Sequence, residues 1–398
     1  MQVAMVVWNE FRNDARVLKE ANTLQAAGHQ VTVFALHTPG VTQKRELLET
    51  GVRVVRTTRR PLLSKRASES KKAASNAPLK PAGPLHQVLR LGSRSLIHAA
   101  IVRKMVWSRP DVVHAHDFNT LPTAWLAAAL SRARLVYDAH EISTDREGYV
   151  GFRGLVGCLE KRFMPRAQGT ITTTDARAKF FARAYGIPRP LVLQNWPRLS
   201  DVPRSDRIRN ELGLTEPWPI AVYQGGLQPG RGLAKLVEAA EAVPNAYVVF
   251  IGGGRLASAL ENQVRELGLE ERVRFIPTVS LEDLPSYTAS ADIGVQAIEN
   301  TCLNHFTTDS NKLFEYMMAG LPVVASDLPE IKRVITGHNF GVLVPAGSTD
   351  HLAAALQGLV SDRVERARLA SNARAASKTL NWDEQEQSLI DLYRRLER

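Results

Sequence analysis

Short apolar runs alternate with stretches of helical periodicity through the first half of the chain. VAMVVW, residues 3–8, predicts a β-strand. Residues 13–28 predict a helix in which Val17, Ala21, Leu24 and Ala27 share a face, with Asp14 in the first turn and Gly28 at the end. Further strands are expected at 30–36, 51–57, 109–116, 134–140, 169–174 and 191–195, with helices at 120–133 and 175–185. Alternation of this kind predicts a mostly parallel sheet covered on both faces by helices.

The pattern breaks at NWPRLSDVPRSDRIRNELGLTEPWP, residues 195–219, where proline and charge dominate, and then starts again. Strands are expected at 220–225, 246–252, 272–279, 291–298 and 322–327, with helices at 232–243, 255–268 and 311–320. A chain of 398 residues suits two domains better than one core. The expected division is a first domain over 1–195, a linker over 196–207, a second domain over 208–378 and a closing helix over 379–398. In that helix Trp382, Leu389, Leu392 and Leu396 make one apolar face, with acids early and arginines late to suit the helix dipole. The face predicts docking back onto the first domain.

Composition adds little to this class, but charge does. The formal charge of +11 suggests an anionic partner. Residues 56–109 hold 13 Lys and Arg against one acid, Glu69, so this window carries +12 and the rest of the chain −1. Within it, 61–86 is rich in alanine, serine, proline and lysine, and predicts a loop with a short helix near 65–74. Cys158 and Cys302 form no metal or redox spacing. No run of 18 apolar residues is present, and MQVAMVVWNEF reads as a strand rather than a secretion signal, so the expected location is the cytosol.

Open α/β sheets bind ligands at the carboxyl ends of their strands. Three such ends carry polar clusters: Asn9 to Asn13 with Asp14; His114, His116 and Asp117; and Asp138, His140 and Glu141. They can hold a hydroxylated ligand by directional hydrogen bonds, or be packed structural groups. In the second half, YQGGLQPGRGL places Gly225, Gly226 and Arg231 before a helix, a weak signal for an anion. TTDSNKLFEYMMAGLPVVASD, residues 307–327, is stronger. Ser310 is expected to cap a helix whose first turns carry Lys312 and, on the same face, Glu315. The plain structural reading is a capped helix with a surface Lys–Glu pair. No Asp-x-Asp and no compact His/Cys/Asp cluster for a metal is visible.

This combination resembles the retaining glycosyltransferases of family 4 over essentially the whole chain. The resemblance rests on the HAHD strand end, the glycine turn with its basic residue, the SNKLFEYMMAGLPVVASD segment, and NDARVLKEA, which looks like the opening of enzymes of polysaccharide, glycolipid or antibiotic assembly. It implies a GT-B fold: two Rossmann-like domains facing across a cleft. It also implies transfer of a sugar from a nucleoside-diphosphate sugar, UDP favoured, to a saccharide, lipid-linked or small-molecule hydroxyl. No permanently bound cofactor and no essential metal are implied. By the same resemblance, His116 contacts the transferred sugar with Asp117 beside it. Gly225, Gly226, Arg231, Thr308, Ser310, Asn311, Lys312, Leu313 and Glu315 bind the donor nucleotide, with Arg231 at the diphosphate and Glu315 on the ribose. Asn13, Asp14, Arg16, His140 and Glu141 line the acceptor or donor-sugar side. Two departures are visible: Gly226 replaces an arginine, and Thr307 replaces the first glutamate of the family's E-x7-E pattern.

Other classes fit less well. A dinucleotide oxidoreductase needs GxGxxG after the first strand, where this chain has NEFRNDAR. A nucleotide-sugar epimerase or hydrolase of the same fold is the nearest alternative. Specific nucleic-acid binding has no supporting motif, and the basic window accounts for the excess charge. That window predicts peripheral contact with the inner face of an anionic membrane, or simply solubility.

Overall fold

The computed structural model describes residues 1–12, 14–58 and 84–397. The expected loop at 61–86 and its short helix thus lie almost wholly outside the described residues, as does Asn13.

The chain forms two compact units. The first comprises Met1–Thr172, Ala178–Val192 and Ser388–Arg398; the second comprises Thr173–Arg177 and Leu193–Gln387. In the first unit the strands are β1 (Gln2–Val6), β2 (Gln30–His37), β3 (Arg45–Leu47), β4 (Arg53–Thr58), β5 (Val112–His116), β6 (Arg134–Ala139), β7 (Gly169–Thr172) and β8 (Leu191–Val192). Its helices are α1 (Ala15–Ala26), α2 (Pro84–Trp107), α3 (Leu121–Ser131), α4 (Arg153–Phe163) and α5 (Asp175–Tyr185). The sheet order is β3-β4-β2-β1-β5-β6-β7-β8, parallel except for the short edge strand β3.

Strand alternation divides the side chains of this sheet. Val113 and Ala115 of β5, with Leu135, Tyr137 and Ala139 of β6, pack into the core shared with α2, α3 and α4. The alternate residues, His114 and His116 of β5 and Asp138 of β6, therefore point to the other face, and His116 lies in register with Asp138.

The second unit repeats the design with a six-stranded parallel sheet, β11-β10-β9-β12-β13-β14. In chain order its elements are α6 (Arg207–Leu212), β9 (Ile220–Gln224), α7 (Leu233–Glu241), β10 (Tyr247–Ile251), α8 (Ala257–Glu266), β11 (Val273–Ile276), α9 (Leu284–Thr288), β12 (Ile293–Gln296) and α10 (Leu303–Phe306). There follow α11 (Asn311–Met318), β13 (Val323–Ser326), α12 (Pro329–His338), β14 (Gly341–Val344), α13 (Thr349–Ser361) and α14 (Arg363–Ser377). Two apolar clusters cover the faces of this sheet.

The closing helix α15 (Trp382–Glu397) begins in the second unit and ends in the first. Trp382, Leu389, Leu392 and Leu396 are all buried, as their spacing predicts. The strand expected at 191–195 stops at Val192. The reason is local: Gln194 gives its amide to Gln385 Oε1 (2.8 Å) and takes a bond from Gln385 Nε2 on its carbonyl (2.7 Å), so its backbone is satisfied outside the sheet.

Candidate functional site

In the first unit the polar rim is built around Asp138, which is fully buried. Arg16, reaching from α1, donates to both of its oxygens, Nε at 2.7 Å and Nη2 at 2.9 Å. His140 Nε2 lies 2.9 Å from Oδ2, and His116 Nδ1 lies 3.5 Å from the same atom. Burial pushes the Asp138 carboxyl up, but Arg16 and His140 outweigh it and hold the group well below the usual range. His140 moves the other way. Burial opposes its charge, yet Asp117 and Asp138 raise it to about 9. His116 is buried and lowered, with Asp138 only partly offsetting the loss of water, and it is neutral at physiological pH.

Asp14 caps α1, accepting from the Val17 amide at 3.2 Å and from Asn9 Nδ2 at 2.7 Å. Arg16 is only 4% exposed, so it supports the rim from beneath instead of facing a ligand. Asp117 takes a left-handed backbone, φ 63°, which ends the strand alternation and brings its carboxylate 3.8 Å from His140 Nδ1 and 3.7 Å from Arg146. Glu141 lies 3.5 Å from Arg146. A pocket of about 350 Å³ is lined among others by Phe11, Arg12, Asp14, Thr42, Glu46 and Arg56.

The fold also assembles a group that the sequence does not display. Glu20, His114, His116 and Asp138, all buried, bring ligand-type atoms within 4.8 Å of one another. This corrects the expectation that no compact His/acid cluster exists, since three separate elements supply it. Its chemistry does not suit a divalent ion. The Arg16 guanidinium already lies 2.7 Å from Asp138 and 3.2 Å from Glu20, inside the group. Burial and the neighbouring Asp138 raise Glu20 to about 8, so its carboxyl is protonated at neutral pH. The cluster is already neutralised by a built-in cation.

In the second unit β9 ends at Gln224 and opens into the glycine turn. Gly225 has φ 121°, and a Cβ there would lie 3.6 Å from Lys312 Nζ. Gly232, φ 68°, leads into α7; a Cβ would stand 2.0 Å from the Ala297 carbonyl oxygen, so only glycine fits. Gly226 lies in the same turn, and Arg231 pairs with no carboxylate among the described residues.

Lys312 is not the surface group of the plain structural reading. It is 9% exposed, its Nζ sits 4.8 Å above the Tyr223 ring, and it has no hydrogen-bond acceptor among the described residues. Burial and the Arg231 charge lower it to about 7, with Glu315 opposing. Glu315 instead accepts from Gln224 Nε2 at 2.5 Å, and Thr288 Oγ1 donates to Gln224 Oε1 at 2.8 Å. Ser310 does not cap α11 with its side chain; φ 57° and ψ 135° turn the hydroxyl away. Asn311 opens the helix on the surface, Thr308 donates its amide to the His305 carbonyl, and Leu313 is buried in the core with its amide on the Ser310 carbonyl. Thr307, at the departed glutamate position, accepts from Arg177 Nε at 3.2 Å.

Sequence reading missed Glu20, Tyr223, Gln224, Thr288 and Tyr393. Only Gln224, ending a strand beside the glycine turn, carried a local signal.

Known proteins share this architecture. The family described as "Glycosyl transferase 4-like domain" matches residues 14–196, and "Glycosyl transferases group 1" matches 204–376. The phosphatidyl-myo-inositol mannosyltransferase of Mycobacterium leprae is 25% identical, over 95% of this chain and 91% of its own. The D-inositol 3-phosphate glycosyltransferase of Xylanimonas cellulosilytica is 27% identical, over 71% of each. Among solved structures, Anabaena HepE in complex with UDP-glucose shares the fold, with a TM-score of 0.76 at 20% identity, covering 99% of this chain and 100% of that one. The two matched segments together span most of the chain, which is a GT-B-fold glycosyltransferase related to the family 4 nucleotide-sugar transferases.

Proposed function

We propose that this glycosyltransferase works without a metal, retains the anomeric configuration of its donor, and uses a UDP-sugar. The observation that carries the reading is Lys312, a buried ammonium group beside Arg231 at a glycine-opened turn, with no acceptor among the described residues. A diphosphate supplies that acceptor. Arg231 and Lys312 neutralise the charge that grows on the leaving group, helped by the N-terminal end of α11, whose dipole favours an anion. Glu315, aimed by Gln224, accepts from the ribose hydroxyls. Solved relatives in complex with UDP and UDP-glucose favour the uridine carrier.

His116 turns Nδ1 toward Asp138, which leaves Nε2 to accept a hydroxyl of the transferred sugar. The bond from the anomeric carbon to the phosphate oxygen breaks, and the bond to the acceptor oxygen forms on the same face. The acceptor proton passes to the departing phosphate. Asp117 acts indirectly by keeping His140 charged. Asp14, His140 and Glu141 border the acceptor side, and Arg12 in the adjoining pocket pairs with no carboxylate among the described residues. A phosphate-bearing, hydroxyl-rich acceptor fits that cation, and the names of the relatives point the same way. Peripheral contact with an anionic membrane through residues 56–109 is supported by the charge of that window.

The test is transfer from UDP-, GDP- and dTDP-sugars in the presence of EDTA, with the product anomer read by NMR. Retained configuration without added metal is expected, and His116→Ala should lower turnover by about 10²-fold or more while nucleotide binding persists. An inverted product, or dependence on a divalent ion, would overturn the mechanism.

A further inference from the structure

One aromatic stack in the first unit stands where packing alone does not require it. β1 carries Ala4 and Val6 into the core shared with α2, α3 and α4, and Trp8 continues that side just past the strand end. Val6 lies in register with Ala115 of β5, so Trp8, two residues on, comes level with Asp117 at the polar rim. Its ring lies parallel to that of His98 on α2, with centroids 4.0 Å apart and 6° between the planes. Arg94, one turn before His98, sets its guanidinium 5.2 Å from the same indole.

His98 is itself held in place, since its Nδ1 meets Thr123 Oγ1 of α3 at 2.7 Å. Burial, with Arg94 beside it, lowers the imidazole to about 4, so a neutral ring backs the indole at physiological pH. Trp8 is half-buried at the edge of the core, and its N–H meets no acceptor among the described residues. A stack formed only to fill space would be covered. This one keeps an open donor and has an exposed guanidinium, that of Arg94, beside it.

The segment after β6 adds a second ring to this corner. Tyr149 bonds through its hydroxyl to Asn119 Oδ1, packs edge-on against Phe118 at 5.9 Å and has the Arg146 guanidinium over its ring, also at 5.9 Å. Arg146 reaches back to Asp117 at 3.7 Å, and Arg94 is near enough for its charge to act on Tyr149. Two aromatic rings, two guanidinium groups and a carboxylate thus gather at the strand end, where Asp117 also faces His140 and His140 faces His116.

We propose that Trp8 is the platform for a saccharide acceptor, which lays the C–H face of one pyranose ring on the indole and turns its hydroxyls toward Arg94, Arg146 and Asp117. The inference rests on the glycosyltransferase reading above and deepens it by naming the class of acceptor. A pyranose suits the corner because its ring faces carry C–H bonds, while the hydroxyls around its edge both donate and accept. The indole N–H and the two guanidinium groups supply donors, and Asp117 supplies the acceptor. A bare phosphate would use the guanidinium groups and leave the indole without a partner. A wholly apolar acceptor would strip water from Arg94 and Arg146 and give nothing back.

Saturation-transfer NMR on the full chain tests the proposal, with methyl hexopyranosides, maltose and cellobiose as probes and UDP in a separate arm. The native chain should pass saturation chiefly to the C–H protons on one face of a pyranose. Trp8→Phe, which keeps a ring, should retain most of that binding. Trp8→Leu, which keeps only apolar volume, should weaken it about tenfold, and Arg94→Gln about threefold or more. Circular dichroism reports folding, and affinity for UDP should stay unchanged in all three variants; Arg94→Gln, at an exposed position, carries the test if Trp8→Leu does not fold. Equal binding by Trp8→Phe and Trp8→Leu would make Trp8 a packing residue and overturn the proposal. So would a native chain that binds no pyranoside, or Trp8-dependent binding of adenosine in place of the sugars. The donor site is judged separately: a native chain that binds pyranosides but not UDP fails that reading and leaves the platform standing.

Discussion

The Tyr393 hydroxyl lies 2.9 Å from His114 Nδ1, joining the last helix to the strand that ends in His116, 279 residues away in the chain. Both groups are fully buried, and the His114 ring stacks on His116 at a centroid distance of 4.3 Å. The closing helix therefore contributes a polar contact as well as an apolar face.

Removing that hydroxyl leaves a buried imidazole nitrogen without its partner. Tyr393→Phe should destabilise the protein by about 1–3 kcal/mol, measured by chemical denaturation. An unchanged unfolding midpoint would show that the contact contributes nothing net.

Glu20 sets a pH dependence whose sign can be worked out. Burial, with Asp138 nearby, raises its carboxyl from 4.5 to about 8, so the folded state binds a proton that the unfolded state has released. Stability from this group is fully present below pH 4.5 and is lost as pH rises toward 8. Glu20→Gln removes the titration. Its stability relative to the native chain should therefore improve between pH 5 and 8, read from denaturation curves. A variant that instead falls behind with rising pH would mean that Glu20 is folded as the carboxylate.

Lys312 should take up a proton when the diphosphate arrives. Its ammonium is lowered to about 7 chiefly by burial, and a bound dianion raises it again. Calorimetry in buffers of different ionisation enthalpy should detect uptake of up to about one proton per nucleotide at pH 8, with affinity falling as pH rises above 7. Lys312→Arg, which keeps its charge, should flatten that dependence, and Lys312→Ala should weaken binding by about 1.5–3 kcal/mol.

Gln224 aims the Glu315 carboxylate. Gln224→Ala should raise the donor KM about tenfold with a smaller change in kcat, and Gln224→Glu, which sets two carboxylates together, should do more. Equal kinetics in all three chains would leave Glu315 oriented by other means.

Local sequence reaches as far as the elements do. The periods of 2 and 3.6 residues locate most strands and helices, because each element must turn one side to a core whatever that core is. The HAHD strand end and SNKLFEYMMAG helix were legible for the same reason: strand ends and helix starts are local events. α2 was not legible, since it emerges from a stretch dominated by small and basic residues and gains its stability from the sheet it covers. Strand β3, three residues at an edge, has too short a pattern to read.

Charge and contact within the site were decided by tertiary structure. Whether Lys312 is a surface cation or a buried one at about pH 7 depends on Tyr223, 89 positions earlier, lying beneath it. Whether Arg16 faces a ligand or neutralises Asp138 depends on α1 and β6 meeting on one side of the sheet. The sequence determined which chemistry was available: a histidine strand end, a glycine turn, a lysine and a glutamate on one helix. Folding determined which of those groups lost water and what faced them, and desolvation and partner geometry, set by residues far apart in the chain, decide what each group can do.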